Sequence, residues 1–355
     1  SDDEIEEKQV FEKGIGQEKT KRKHSDDEIE EMRVSEKRIG QEKTAKRKHS
    51  DDEIEEKQVS ENDKHSDDEI QKKQMIEKGI GKVVASHYNQ LEEKGLLERN
   101  LSRIVYMRNF NNWMKSILLM KYLEQIREQS TDEHRIIAMD MGCGKGGDLL
   151  KWQKGNIRHL ICVDIASTSI SQCQERYELF RQKGRIFETE FIVADCTKTR
   201  LKHHIKYPQT KVDLVSCQFS FHYSFESLSQ AETMLQNASD LLRKGGYFVA
   251  TIPNANKIVS SLAASEGSSF GNEVFKIEFP EDRPADPPLF GDAYNFFLEG
   301  VVNCPEFLVH FPTLVRLAEK YGLELVYKKS FEDLYKEGIN DRESRSLMFR
   351  MKALE

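Results

Sequence analysis

The chain has 355 residues, with 54 Lys and Arg against 61 Asp and Glu, and a formal net charge of −7. No apolar run is long enough to span a membrane, and no signal-peptide pattern opens the chain. The six cysteines lie singly and form no Cys-x-x-Cys pair. Neither a zinc site nor a disulfide framework is therefore predicted, which points to a reducing intracellular compartment.

Residues 1–82 carry 19 Lys and Arg, 25 Asp and Glu, and one aromatic residue, Phe11. So charged a segment cannot offset its ordering entropy, and disorder is predicted for it. Ser-Asp-Asp-Glu-Ile begins at Ser1, Ser25, Ser50 and Ser66. The period suits a solenoid, but each unit holds too few apolar residues to present a stacking face. Glu/Lys pairs at helical spacing allow a transient helix. Lys21-Arg22-Lys23 and Lys46-Arg47-Lys48 read either as a nuclear localisation signal or RNA-touching arm, or as solvated charge. The repeated Ser-Asp-Asp-Glu resembles acidophilic kinase sites. The first residue is not Met, so the chain reads as a fragment.

Residues 83–355 suit one α/β domain. A helical stretch over Val83–Gly95 leads to Ser102–Lys115 and an apolar helix through Ile126. A first strand covers Arg135–Met141 and runs into Gly142, Gly144, Gly146 and Gly147, after which Leu149, Leu150 and Trp152 open a helix. A second strand, Leu160–Val163, ends at Asp164, and a long helix covers Ser167–Lys183. A third, Phe191–Ala194, ends at Asp195, and a fourth, Val212–Cys217, ends at Gln218. A helix over Ala231–Leu242 stops at Gly245-Gly246. Tyr247–Ile252 is the fifth strand, Phe307–Tyr321 a helix and Leu323–Lys329 the sixth strand. Such alternation predicts a doubly wound, mostly parallel sheet with helices on both faces.

Ligands of these sheets bind at the carboxyl ends of the strands, where Gly142, Asp164, Asp195 and Gln218 fall. The glycine turn lets a ligand lie against bare main chain. Its spacing is nearer to a methyl-donor loop than to the dinucleotide Gly-x-Gly-x-x-Gly. Asp164, 22 positions after Gly142, suits the hydroxyls of a ribose. Asp195 suits an adenine amino group, and Gln218 lies near the reacting end. Singly, each residue reads equally well as a helix cap; four in register favour a shared site.

The string Tyr106-Met107-Arg108-Asn109-Phe110-Asn111-Asn112-Trp113-Met114-Lys115 is followed by Gly142-Cys143-Gly144-Lys145-Gly146-Gly147-Asp148-Leu149-Leu150-Lys151-Trp152. Cys217-Gln218-Phe219, His222-Tyr223-Ser224-Phe225-Glu226, Phe270-Gly271-Asn272-Glu273 and Leu298-Glu299-Gly300-Val301-Val302 come later. With these motifs the chain, from about Val83 onward, closely resembles eukaryotic mRNA cap guanine-N7 methyltransferases. The resemblance implies a class I S-adenosylmethionine (SAM)-dependent fold, SAM as methyl donor, S-adenosylhomocysteine as product and no metal. It makes Lys115, Gly142, Gly144, Asp164, Asp195, Gln218 and Tyr223 contacts to SAM. It makes Asn111 and Asn112 contacts to capped RNA, and assigns the cap guanosine and its triphosphate to Lys145, Lys151, Arg176, His222 and Glu299.

Glu299, Tyr223 and His222 are the expected catalytic set, with Glu299 in a mostly apolar string where a carboxylate needs a partner. Guanine N7 has a free lone pair, so in-line transfer needs no general base. The partners implied are the capped 5′ end of mRNA, a small activating subunit and the transcription and capping machinery, in the nucleus and without membrane contact. Family members continue past Met351-Lys352-Ala353-Leu354-Glu355 with a final strand and a cap-binding tyrosine. Its absence predicts an unpaired sheet edge beside the fifth strand. Three rival readings stay open: an inactive truncated paralogue that binds RNA or protein, a methyltransferase for another substrate, and a nicotinamide dehydrogenase.

Overall fold

The computed structural model describes residues 6–12, 79–91, 98, 100–130, 134–184 and 186–354. Seven strands form the main sheet in the order β11-β1-β6-β5-β2-β3-β4. They are β1 (Glu6–Glu12), β2 (Ile137–Met141), β3 (His159–Asp164), β4 (Glu188–Val193), β5 (Val212–Gln218), β6 (Leu242–Pro253) and β11 (Glu324–Ser330). From β4 through β6 all neighbours run parallel. β1 runs antiparallel to both β6 and β11.

The alternation of side chains along each strand sorts the core into two layers. Met139, Met141, Ile161, Val163, Val215, Cys217, Phe248 and Ala250 face one layer. There α5 (Leu228–Leu241) contributes Met234 and Leu235, and α7 (Phe311–Lys320) contributes Leu314 and Ala318. Ala138, Leu160, Cys162, Leu214, Tyr247 and Val249 face the other. That layer receives Leu118, Leu119 and Leu123 of α2 (Val105–Glu128), Trp152 of α3 (Leu149–Lys154) and Tyr177 of α4 (Ser167–Lys183). Each buried large side chain contributes about 1.5–3 kcal/mol, so the helices are fixed chiefly by these faces. The doubly wound expectation holds.

Several details differ from the sequence reading. The stretch from Ser102 to Ile126 is largely a single helix, α2. Gly245-Gly246 does not stop a helix: α5 passes directly into β6, and Gly245 takes φ 74° inside that strand. The β5–β6 register shifts between Val212 and Leu214, as at a bulge. Phe307 belongs to a strand rather than to the helix that begins at Phe311.

A second, antiparallel sheet went unread. Its order is β10-β9-β8-β7, from β7 (Ser269–Gly271), β8 (Phe275–Glu278), β9 (Ala293–Leu298) and β10 (Val302–Phe307). Leu298, Val302 and Cys304 of this sheet pack on Val84 of α1 (Ile80–Gln90), clamping that helix over the main sheet. The other helices are α6 (Ala255–Ala263), α8 (Phe331–Asn340) and α9 (Arg342–Arg350).

The charged segment 1–82 is corrected at two places. Residues 6–12 form β1, which fills the edge beside β6 that was expected to be open, and α1 begins at Ile80. The physical reason is that β1 pairs through its main chain with both β6 and β11, which a polar strand does as well as an apolar one. The disorder expected for the rest of the segment lies outside the described residues.

Candidate active site

The β2 loop is built on backbone geometry. Gly142 sits at φ 75° and Gly144 at φ 53°. A Cβ on Gly142 would stand 2.2 Å from Ser220 Oγ, so no other residue fits there. The Gly142 and Cys143 amides both donate to the Val163 carbonyl, at 2.8 and 3.0 Å. Asp164, at the end of β3, accepts from the Gly144 amide at 2.8 Å and from the Ala166 amide at 2.9 Å. Burial raises its pKa against these bonds.

A cavity of about 220 Å³ opens above these strand ends. Gly142, Gly144, Asp164, Asp195, Gln218 and Tyr223 line it, so six of the seven expected cofactor residues share one space. Asp195 Oδ1 accepts from the Thr197 amide and hydroxyl at 2.9 and 2.6 Å. Gln218 is buried, and among the described residues its Oε1 has no hydrogen-bond partner. Such an orphaned acceptor, beside bare glycine main chain and two carboxylates, fits an amino-bearing nucleoside ligand such as SAM. Phe219 follows in the left-handed region at φ 60°, its amide held by Thr251 Oγ1 at 2.8 Å. Strain of this kind gathers at functional turns.

The seventh residue, Lys115, does not line the cavity. Its Nζ binds Asp148 Oδ2 at 2.9 Å. Lys151 is also buried, 2.7 Å from Asp148 Oδ1 and donating to Asn112 Oδ1 at 3.1 Å. Burial opposes the charge on Asp148, but the two ammonium groups outweigh it and hold the carboxyl below its ordinary range. Asn111 is the half-buried neighbour on α2. Lys145 donates to the Leu91 carbonyl at 3.1 Å, and Arg176 is half-buried on α4.

The expected catalytic set divides. His222 and Tyr223 lie together, with ring centroids 4.4 Å apart. Among the described residues neither ring nitrogen of the buried His222 has a hydrogen-bond partner, although Nε2 lies 3.2 Å from Glu306 Oε1. Tyr223 donates to Glu306 Oε1 at 3.4 Å and Tyr294 to Glu306 Oε2 at 2.9 Å. Burial pushes the Tyr223 phenol well above its ordinary pKa, so it stays neutral.

Glu299 is elsewhere: it occupies the turn between β9 and β10, outside the cavity lining. Its carboxylate accepts both arms of Arg103, at 2.9 and 3.0 Å. The apolar string around it is a hairpin, and its tip is half-exposed rather than buried. The carboxylate beside His222 and Tyr223 is Glu306, which the sequence reading missed. Its only signal was a lone acid within Val302–Phe307.

Also unread were the cavity residues of α1, namely Ile80, Gly81, Val84 and Tyr88. The fold further gathers three cysteines read as single: the Sγ atoms of Cys143, Cys162 and Cys173 lie within 4.8 Å of one another behind the glycine loop.

Comparison with known proteins gives this geometry a family. The model of the mRNA (guanine-N(7))-methyltransferase domain matches residues 71–355. The chain belongs to that family. The mRNA cap guanine-N(7) methyltransferase of Drosophila melanogaster is 50% identical over 282 residues, covering 77% of this chain and 65% of that protein. The enzyme of the same name from Caenorhabditis elegans is 40% identical, covering 77% and 72%. That of Schizosaccharomyces pombe is 38% identical, covering 77% and 75%. This chain therefore spans roughly two-thirds to three-quarters of these cap methyltransferases. The doubly wound sheet and glycine loop are the SAM-dependent framework of the family, and no helix among the described residues is long and apolar enough to cross a membrane.

Proposed function

We propose that this chain transfers the methyl group of SAM to N7 of the guanosine cap of mRNA. The reading is carried by one juxtaposition. Tyr223 lines the strand-end cavity and also joins the buried His222–Glu306 pair. A methyl donor and a purine acceptor thus have adjoining places.

On this reading the Gly142 and Gly144 main chain, Asp164, Asp195 and the free Gln218 Oε1 hold SAM, which supplies an electrophilic methyl group. Lys115 keeps Asp148 charged beneath the loop. Glu306 takes the role first given to Glu299. As an acceptor with two oxygens it suits the adjacent N1–H and 2-amino donors of guanine, and its charge favours the positive ring formed when N7 is methylated. His222 and Tyr223 orient the base. No proton leaves N7, so the residues act by alignment and exclusion of water. Lys145 and Arg176 approach the triphosphate, while Lys151 fixes Asn112 and neutralises Asp148. Nuclear residence and a small activating subunit belong to the same proposal through the family resemblance.

The test is formation of S-adenosylhomocysteine with guanosine-capped RNA beside uncapped RNA of the same sequence. Turnover restricted to the capped substrate is expected. SAM binding in calorimetry without turnover on capped RNA would overturn the enzyme reading and leave the RNA- or protein-binding module.

A further inference from the structure

Cys143, Cys162 and Cys173 are far enough apart in sequence to carry no metal-ligand spacing, yet the fold brings their sulfurs to one point. Cys143 comes from the glycine loop, Cys162 from β3 and Cys173 from α4. All three are buried and free of disulfides, and their Sγ atoms lie within 4.8 Å of one another. A cation bonded to three sulfurs at about 2.3 Å holds them about 4 Å apart. The sulfurs therefore need to close by less than about 1 Å.

The loop is moulded around this point. Gly146 takes φ 73°, and a Cβ there would stand 2.8 Å from Cys173 Sγ. The nearest printed partner of the Cys143 thiol is the Gly144 carbonyl at 3.6 Å, a weak contact. We infer that the three cysteines form a three-coordinate site for a soft, monovalent thiophilic cation, Cu(I) being the ion of that chemistry.

The donor set decides between ions. Sulfur ligands select Cu(I), zinc and iron–sulfur clusters over hard cations. Structural zinc takes four ligands. Among the described residues no His, Asp, Glu or fourth Cys joins the group. Leu149, Ile170 and Tyr177 belong to the same buried cluster, so the surroundings are too apolar to favour a water ligand. Cu(I) is satisfied by three sulfurs. On binding, thiol protons pass to solvent and Cu–S bonds replace them; copper stays Cu(I) and no thiol is oxidised. Entry is from the strand-end cavity, because Cys143 stands between Gly142 and Gly144, which both line it.

The test is an anaerobic titration of the reduced full chain with Cu(I) against a chromophoric Cu(I) chelator, followed by X-ray absorption of the loaded protein. One equivalent with a shell of three sulfurs is expected. Cys143→Ser, Cys162→Ser and Cys173→Ser should each lower the affinity at least tenfold, whereas Cys196→Ala should not. The Tm of each copper-free variant is measured beside it, and where a substitution unfolds the chain the shell of the unmutated protein decides. A shell of nitrogen or oxygen would place the ion on groups such as His24, His49 and His65 and overturn the site. Two sulfurs only, or affinities indifferent to these three cysteines, would overturn it as well. Zinc bound in one equivalent with four ligands would overturn the three-coordinate assignment.

Discussion

Glu306 and Glu299 are seven residues apart and sit in different surroundings. Glu306 is buried among His222, Tyr223 and Tyr294, whereas Glu299 is a half-exposed hairpin tip held by Arg103. Glu306→Gln should lower kcat on capped RNA on the order of 10²-fold while leaving SAM affinity in calorimetry unchanged. Glu299→Gln should change kcat less than about threefold, because it removes only an exposed ion pair. Equal losses in the two variants would return Glu299 to the site.

Asp140 gives a second prediction at the same scale. It is buried, and burial together with the charge of Asp148 pushes its pKa up to about 8, against a bond from Trp152 Nε1 at 3.2 Å. Between pH 4 and 8 the folded chain then keeps a proton that the unfolded chain has lost. This group therefore makes stability fall as pH rises, by at most about 1.4 kcal/mol per unit. Asp148, with its pKa lowered, acts in the opposite sense and only below about pH 4. Asp140→Asn should flatten the decline in Tm between pH 5 and 8; an unchanged slope would remove Asp140 as its source.

Among the elements, α8 lies against α2 with no space to spare. A Cβ on Gly338 would come within 2.7–2.8 Å of the Trp113 ring, whose Nε1 donates to the Ser344 carbonyl at 2.7 Å. Gly338→Val should destabilise by about 1–3 kcal/mol through overpacking, read as a lower midpoint in urea.

The same elements show what a sequence discloses. α4 was legible to the residue, because a buried strand, an acidic strand end and a helical period follow one another. β10 was hidden by Pro305, which suggests a helix start or a loop. It is tolerated because β10 is an edge strand, where a missing N–H costs little. β1 has no alternating apolar pattern, and its strand is formed by pairing with the main chain of β6 and β11, far away in sequence. The cofactor residues were legible because strand ends converge by topology. Glu306 was not, because its partners come from the second sheet and from the 3-10 turn at Phe221–Glu226.

Over the whole molecule, the net charge of −7 is concentrated in the repeated segment, which carries −6 by itself and leaves the remainder nearly neutral. RNA affinity must then come from local cations rather than from an overall field. Lys145→Ala should lower the slope of log affinity against log salt by about 0.7 on single-stranded capped RNA, as expected for one lost phosphate contact. A parallel displacement of the line without a change of slope would instead indicate a loss of shape at the glycine loop.

The antiparallel course of β1 has a consequence for cleavage. Its last residue lies at the far end of the sheet, whereas α1 begins at the opposite rim. A single proteolytic nick between β1 and α1 would therefore divide the protein into two pieces while leaving in place the ladders that β1 makes with β6 and β11. The short amino-terminal piece would then be held to the rest through the two β1 ladders.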